Sequence, residues 1–334
     1  MQFSRIAIFW ILVFNFTAVK FIYAQLLNSI GYAFNMLKPC DNYRPRMEHI
    51  LFRYYDRHVT NFYSVNFNAL NAVPYPEFCV DPYTNSSQMS IIIPGWREHC
   101  GLSYVRKAVK NLHAYRGGCV TCMDYTNFSF TDNYKCLFNA FKAVRYTLYR
   151  FYLMLQKDGI NFERIYVFGH SYGSQLALQA SMMLGYKKIG GIDACDPAGI
   201  LFDGSGLMRK LLLDKNPRDV RSAAKTVDCW HTSYGIYGTK YRLSCERNWI
   251  LGRCGLRQPG SRNSNITAHA FCPVYYNLSF KYYFPAVKQP NAFCSVPNPA
   301  KYWPDGFKLG YLETRKWLVH GQVFVNTSQV YPYN

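Results

Sequence analysis

The chain has 334 residues, 49% of them hydrophobic and 18% aromatic, which is enough apolar surface for one large core or two modest ones and too much for a disordered protein. Its formal net charge of +19 attracts polyanions. Lys and Arg are nevertheless dispersed along the chain as far as Lys316 with no dense basic run and no nucleic-acid-binding motif, so nucleic acid is not the expected partner and an anionic membrane surface or acidic glycan is.

Residues 1–24 contain Arg5, an apolar run at 6–14 and a small residue, Ala24, at a plausible cleavage point, which together predict a secretory signal peptide. The run is too short to cross a bilayer, and Asn15, Thr17 and Lys20 break up the second half of the segment. The remainder, 25–334, carries no linker-like stretch and is expected to form a single domain. Twelve cysteines lie beyond the leader, an even number that an oxidising compartment would turn into disulfides. Cys119 and Cys122 have the spacing of a redox or zinc pair, but no second pair accompanies them, so no metal site is predicted. Five Asn-x-Ser/Thr sites beyond the expected leader, at Asn85, Asn127, Asn265, Asn277 and Asn326, are glycan acceptor candidates in an exported chain. Secretion is the expected fate.

In chain order, the run Ser90-Ile91-Ile92-Ile93 before Pro94-Gly95 predicts a buried strand, and 118–124 predicts a second. Apolar residues at helical spacing over 134–155, including Leu137, Phe141, Val144, Leu148, Phe151 and Leu155, predict one amphipathic helix. A strand at 164–168, a helix over 172–184 and a strand at 188–192 come next. Alternating strands and helices predict a mostly parallel sheet with helices on both faces. The last third is dense in Cys, Pro and Tyr, and its weak periodicity predicts loops and short elements held by disulfides.

Gly169-His170-Ser171-Tyr172-Gly173 sits where a predicted strand turns into a predicted helix. In such an elbow a serine is held on a sharp turn that only flanking glycines leave room for. A serine hydroxyl becomes a useful nucleophile when a histidine removes its proton and a carboxylate orients that histidine. Asp193 and Asp196 come after the next strand with equal claims as the acid, and Asp203 stands behind them. Three histidines come later. His231 lies among apolar neighbours and suits a structural role, His320 falls in a probable strand near the chain end, and His269 comes after a polar loop in a position suited to a cleft edge.

These blocks resemble the pancreatic-lipase family: Gly169 to Gly173, Asp196-Pro197-Ala198-Gly199 followed by Leu201-Phe202, and Ala268-His269 followed by Tyr275-Tyr276. Flanking similarities at Pro94-Gly95-Trp96, Met123-Asp124-Tyr125 and 321–327 extend the resemblance over nearly the whole chain beyond the leader. The resemblance implies an α/β-hydrolase fold, stabilised here by disulfides, and a serine esterase acting on lipids at a membrane or lipoprotein surface without a cofactor. It implies Ser171 as nucleophile, Asp196 as acid and His269 as base. It also implies an oxyanion hole formed by the backbone N–H groups of Trp96 and Tyr172.

The chain departs from the family pattern at Pro94, where a histidine is usual, at Tyr172, where leucine is usual, and at Ser174. Either of the first two is expected to narrow the pocket. Ser261 and Thr267 stand where the family commonly places the cysteines that close its lid, and only residues 262–266 lie between them. So short a lid resembles phospholipase A1 members more than triglyceride lipases. The chain is also expected to lack the family's C-terminal β-sandwich. The competing expectation is a lipase-like lipid carrier with weak or no catalysis.

Overall fold

A computed structural model describes residues 39–40, 43–56, 58, 62–66, 79, 88–203, 219–239, 243–258, 265–288, 294 and 299–334. The expected leader, Asn85 and most of the expected lid segment at 262–266 lie outside the described residues. The chain forms two compact units, a small one of residues 1–44 with 131–136 and a large one of 45–130 with 137–334. The small unit is closed by the Cys40–Cys136 disulfide.

In the large unit the described strands form one sheet of order β2-β1-β4-β3-β5-β6-β7-β8-β9. These are β1 (Leu51–Tyr55), β2 (Phe62–Asn66), β3 (Met89–Ile93), β4 (Cys119–Asp124), β5 (Ile165–His170), β6 (Ile189–Cys195), β7 (Ala224–His231), β8 (Arg247–Leu251) and β9 (Gly321–Val325). Strand β1 pairs antiparallel with β2 and β4, and every pairing from β4 through β3 to β9 is parallel. Among the described residues four helices of at least eleven residues accompany it: α1 (Ser103–Tyr115), α2 (Phe141–Lys157), α3 (Tyr172–Met182) and α4 (Asn265–Ser279). This is the α/β-hydrolase arrangement.

Side chains alternate across each strand. On one face Ile92, Val120, Phe168, Trp230 and Trp249 pack with Val105 and Leu112 of α1 and with Tyr275 and Tyr276 of α4. Helix α2 meets the sheet through Phe151, whose ring stacks on Phe52 of β1 at 3.8 Å between centroids. Strands covered on both faces need not alternate in polarity, which is why β3, β5 and β8 are buried along their whole length.

Two expectations need correction. The helix predicted over 134–155 is two, Tyr134–Asn139 and α2, because the Ala140 N–H turns tightly onto the Leu137 carbonyl at 3.1 Å and interrupts the regular ladder. The last third is more regular than its pattern suggested: it contains β7, β8 and β9 and the fifteen-residue helix α4.

Disulfides join Cys79 to Cys119, Cys100 to Cys122, Cys195 to Cys272, Cys229 to Cys245 and Cys254 to Cys294, so Cys119 and Cys122 belong to different bridges. Of the glycan candidates, Asn127 is exposed, whereas the Asn277 side-chain nitrogen donates to the carbonyls of Tyr104 at 3.1 Å and Pro273 at 2.9 Å. A sugar on Asn277 would break the α1–α4 contact that this amide makes.

A charged cluster lies inside the sheet. Arg247 of β8, fully buried, donates through Nε to Asp228 at 2.5 Å and through Nη1 to the Lys316 and Val319 carbonyls at 2.7 and 3.2 Å. Lys316 Nζ lies 2.8 Å from Asp228 and 3.4 Å from Asp193. Burial by itself would raise Asp228, but Lys316 and Arg247 outweigh it and hold the carboxyl well below its ordinary range. Arg247→Met should therefore destabilise the protein by about 3–5 kcal/mol in urea unfolding near neutral pH, because it strips one cation from a buried anion. The contribution of Asp228 is present above its unfolded value of about 4 and is lost as the pH falls through its lower native value, so the gap between variant and wild type should narrow in acid.

Candidate active site

Strand β5 ends at His170 and α3 begins at Tyr172, leaving Ser171 alone on the turn with φ 56° and ψ −119°. Few non-glycine residues adopt such a backbone, and those that do cluster at functional sites. Gly169 and Gly173 make the turn possible: a Cβ on Gly169 would lie 2.7 Å from the Gly173 carbonyl oxygen, and one on Gly173 would collide with the carbonyls of Ile93 and Pro94. The Ser171 N–H donates to the Cys195 carbonyl at 2.9 Å, and its own carbonyl accepts from Ala198 at 3.2 Å. The elbow is thereby tied to the end of β6.

Register brings the remaining parts to the same edge. Ile93 pairs with Gly169, His170 with Cys195, and Cys195 with Trp230, so the segments leaving β3, β5, β6 and β7 emerge together at the carboxyl ends of the strands. Asp196 is the first residue beyond β6, fully buried, with φ 43°. One carboxylate oxygen accepts the Thr232 and Ser233 N–H groups at 3.0 and 3.3 Å. The other accepts the Ser233 hydroxyl and lies 2.7 Å from His269 Nδ1. Burial would raise the Asp196 carboxyl, but the hydrogen bonds from His269, from the Ser233 hydroxyl and from the Thr232 N–H hold it below the ordinary range.

His269 stands in the first turns of α4, a placement no loop would fix as well. Tyr276 stacks on Phe168 of β5 at 3.8 Å, and Cys272 is bonded to Cys195, the residue before Asp196. The segments carrying Asp196 and His269 are therefore joined by a disulfide as well as by the contact between the two side chains. Among the described residues no hydrogen bond joins the Ser171 hydroxyl to His269, so Asp196 and His269 meet directly while Ser171 stands beside them at the elbow. Hydrogen bonds of this kind commonly tighten only when a substrate is present.

The other candidates lie elsewhere. Asp193 points into the charged cluster, accepting from the Tyr166 hydroxyl at 2.6 Å, and Asp203 sits in the turn after Gly199. His231 ends β7, fully buried, 2.8 Å from the Asn248 side-chain oxygen, and His320 precedes β9. Tyr172 opens α3, where helical geometry leaves backbone N–H groups without intrahelical partners and the helix dipole is positive. Its side chain does not narrow the cleft as expected. The ring packs on Phe141, Phe202 and Tyr125 at 5.5–6.0 Å, and the hydroxyl donates to the Leu137 carbonyl at 3.0 Å. Gly95, beside Trp96, approaches the elbow so closely that a Cβ there would lie 3.0 Å from Ser171 Cβ. Pro94 turns its carbonyl to the Tyr125 hydroxyl.

A family model described as Lipase matches residues 82–300, well over half of the chain, and spans the elbow, Asp196 and His269. This chain belongs to the lipase family. No curated protein matches it. Similar solved structures include a phospholipase/carboxylesterase from Dyadobacter fermentans, 16% identical over 47% of this chain and 71% of that one with a TM-score of 0.34. Est1E from Butyrivibrio proteoclasticus is 15% identical over 48% of this chain and 74% of that one, with a TM-score of 0.34. A putative dienelactone hydrolase from Klebsiella pneumoniae is 13% identical over 57% and 76%, with a TM-score of 0.35.

Within this candidate site, Ser233 is a participant that the sequence did not reveal. Its hydroxyl accepts from the Gly238 N–H at 3.0 Å, donates to Asp196 and lies 3.1 Å from His269 Nδ1. No local motif marks it, since its role comes from a loop folded onto the end of β6. Ser233→Ala should cost about 1–3 kcal/mol in chemical denaturation by removing one donor from a buried carboxylate. Because Asp196 is held below its ordinary value, its contribution is present above the unfolded value and disappears as the pH falls through the native one. With a donor missing that native value rises, so acid destabilisation should begin at a higher pH in the variant.

Proposed function

We propose that this lipase-family chain is a secreted serine esterase that cleaves carboxylic ester bonds of lipids, with Ser171 as nucleophile, His269 as base and Asp196 as acid. The observation that carries the reading is the 2.7 Å Asp196–His269 contact beside a serine held at positive φ between β5 and α3. In this mechanism the Ser171 oxygen attacks the acyl carbon while its proton passes to His269 Nε2, and the Nδ1–H remains held by Asp196. The oxygen that becomes negative is met by the backbone N–H groups of Trp96 and Tyr172, each contributing about 3–4 kcal/mol to rate. The tetrahedral adduct expels the alcohol, which takes the proton from His269, and water then hydrolyses the acyl-enzyme by the same steps. Six disulfides in a chain that begins with a leader-like segment support export.

Phospholipid, cleaved at sn-1, is the preferred substrate in this reading, ahead of neutral glycerides. The short lid segment, the +19 charge and the surface beside the oxyanion loop support it. There Phe130 is 60% exposed, with the Arg97 guanidinium 5.8 Å from its ring, a pairing of apolar and cationic groups suited to a lipid headgroup region. The open link between Ser171 and His269 favours the alternative, a lipid-binding carrier without turnover, and labelling separates the two. A fluorophosphonate probe should label the wild-type chain, and Ser171→Ala should abolish both labelling and ester hydrolysis while leaving secretion intact; an unlabelled, folded wild type would favour the carrier. Initial rates should be higher on phosphatidylserine-containing vesicles than on triglyceride emulsion, with added salt removing most of the difference by screening. Faster, salt-insensitive turnover of the emulsion would favour the glyceride reading.

A further inference from the structure

Helix α4 contains Pro273 four residues after His269. In an α-helix the carbonyl of residue i accepts from the N–H of residue i+4, and proline has no N–H to give. The carbonyl of His269 is therefore deprived of its helical donor. A side chain from the elbow faces it instead: His170 Nε2 lies 3.2 Å from the His269 carbonyl oxygen. The other ring nitrogen, His170 Nδ1, lies 2.9–3.0 Å from both carboxylate oxygens of Glu98, and the His170 side chain is only 3% exposed.

A carbonyl and a carboxylate accept hydrogen bonds and cannot donate them. Both nitrogens of His170 must carry protons to satisfy these two partners, so the geometry requires an imidazolium paired with Glu98. Glu98 does more than balance its charge. It accepts the Gly95 N–H in the loop that carries Trp96 and the Tyr104 hydroxyl of α1 at 2.7 Å. One ion pair thus reaches the loop after β3, helix α1, the nucleophile elbow and the backbone of the base.

We infer that Glu98 and His170 are a positioning pair for this active site, which holds His269 through the carbonyl freed by Pro273 and fixes the oxyanion loop through Gly95. The inference rests on the proposed esterase reading for its catalytic consequence, and on geometry alone for the charge state of His170. The groups facing His170 agree with that state. Burial would pull the imidazolium down, but Glu98 of the β3 loop outweighs it with support from Asp196 beyond β6, and His170 is held above its ordinary value. Tyr104 of α1, pushed well above its ordinary value by burial and by Glu98, stays neutral, and the His269 ring stands 4.9 Å away on α4. A group with a raised value keeps its proton below that value and loses it as the pH rises through it. The alkaline limb of activity should therefore report His170.

The test uses the full chain and p-nitrophenyl butyrate as probe, with the variants Glu98→Gln, Pro273→Ala and both together. Glu98→Gln keeps an acceptor for Gly95 but removes the charge. It should lower kcat about 10- to 100-fold with KM nearly unchanged, as displacement of positioned groups does, and move the alkaline limb down by about one pH unit or more. Pro273→Ala supplies an N–H to the His269 carbonyl, so in the double variant it should restore a substantial part of kcat without restoring the alkaline limb. A merely structural pair would give neither the shifted limb nor the selective rescue. Imidazole ¹⁵N spectra provide a readout independent of turnover: in the wild type His170 should remain protonated on both nitrogens above pH 7, and in Glu98→Gln it should not. A neutral His170 at pH 7 in the wild type, or an unchanged kcat and pH profile in folded Glu98→Gln, would overturn the inference. A wild type that shows the imidazolium but neither hydrolyses the ester nor takes a fluorophosphonate label would sink the esterase reading and leave the pair standing.

Discussion

A fully buried carboxylate must find donors for its oxygens or lose its charge, and the architecture around Asp196 is built to supply them. Two backbone N–H groups, one hydroxyl and one imidazole converge on it from the loop after β7 and from α4. Each donor fixes a piece of chain that would otherwise be a free loop. The space is tight enough that a Cβ on Gly238 would lie 2.6 Å from an Asp196 oxygen, so that loop can approach only as glycine. Satisfying this one anion sets the distance between the end of β6 and the helix carrying His269. The Cys195–Cys272 bridge then makes that distance permanent.

Backbone strain gathers at the same edge of the sheet. Arg97, Ser171 and Asp196 all adopt positive φ, at 59°, 56° and 43°. They lie in the loop after β3, at the elbow and just beyond β6 in turn. Such conformations persist only where the surroundings determine them. Here the determinants are the Gly95 N–H bond to Glu98, the Ser171 N–H bond to Cys195 and the donor set on Asp196. Each of these three segments is thereby pinned by hydrogen bonds next to a strand end.

The departures from the family pattern acquire physical meaning in this setting. Tyr172 does not crowd the cleft, because its ring completes an aromatic cluster with Phe141 and Phe202 beneath the elbow while its hydroxyl finds the Leu137 carbonyl. Pro94 contributes a carbonyl to Tyr125. Apart from these departures, Pro273, unpromising inside a helix, leaves free the His269 carbonyl that His170 faces. Tyr172 and Pro94 each meet a partner on another element of the fold, which is what a residue accommodated by tertiary contacts looks like.

The elbow was legible in the sequence because its causes are local: a buried strand, a turn that excludes side chains at Gly169 and Gly173, and a helix all lie within one short stretch. The parallel sheet was legible for the same reason, through alternating strands and helices. The residues alone left Asp193 and Asp196 level; the family resemblance favoured Asp196, and the structure separates them physically, because Asp193 is still inside β6 and faces Lys316 while Asp196 has left the strand. Helix α4 was unreadable because its place comes from Tyr276 stacking on Phe168 and from Cys272, not from local propensity, which Pro273 opposes. The pairing of the cysteines, the bridging hydroxyl of Ser233 and the Glu98–His170 pair were decided by tertiary structure alone. They depend on which residues meet across tens of positions of chain, and a sequence specifies such meetings only through the fold it adopts.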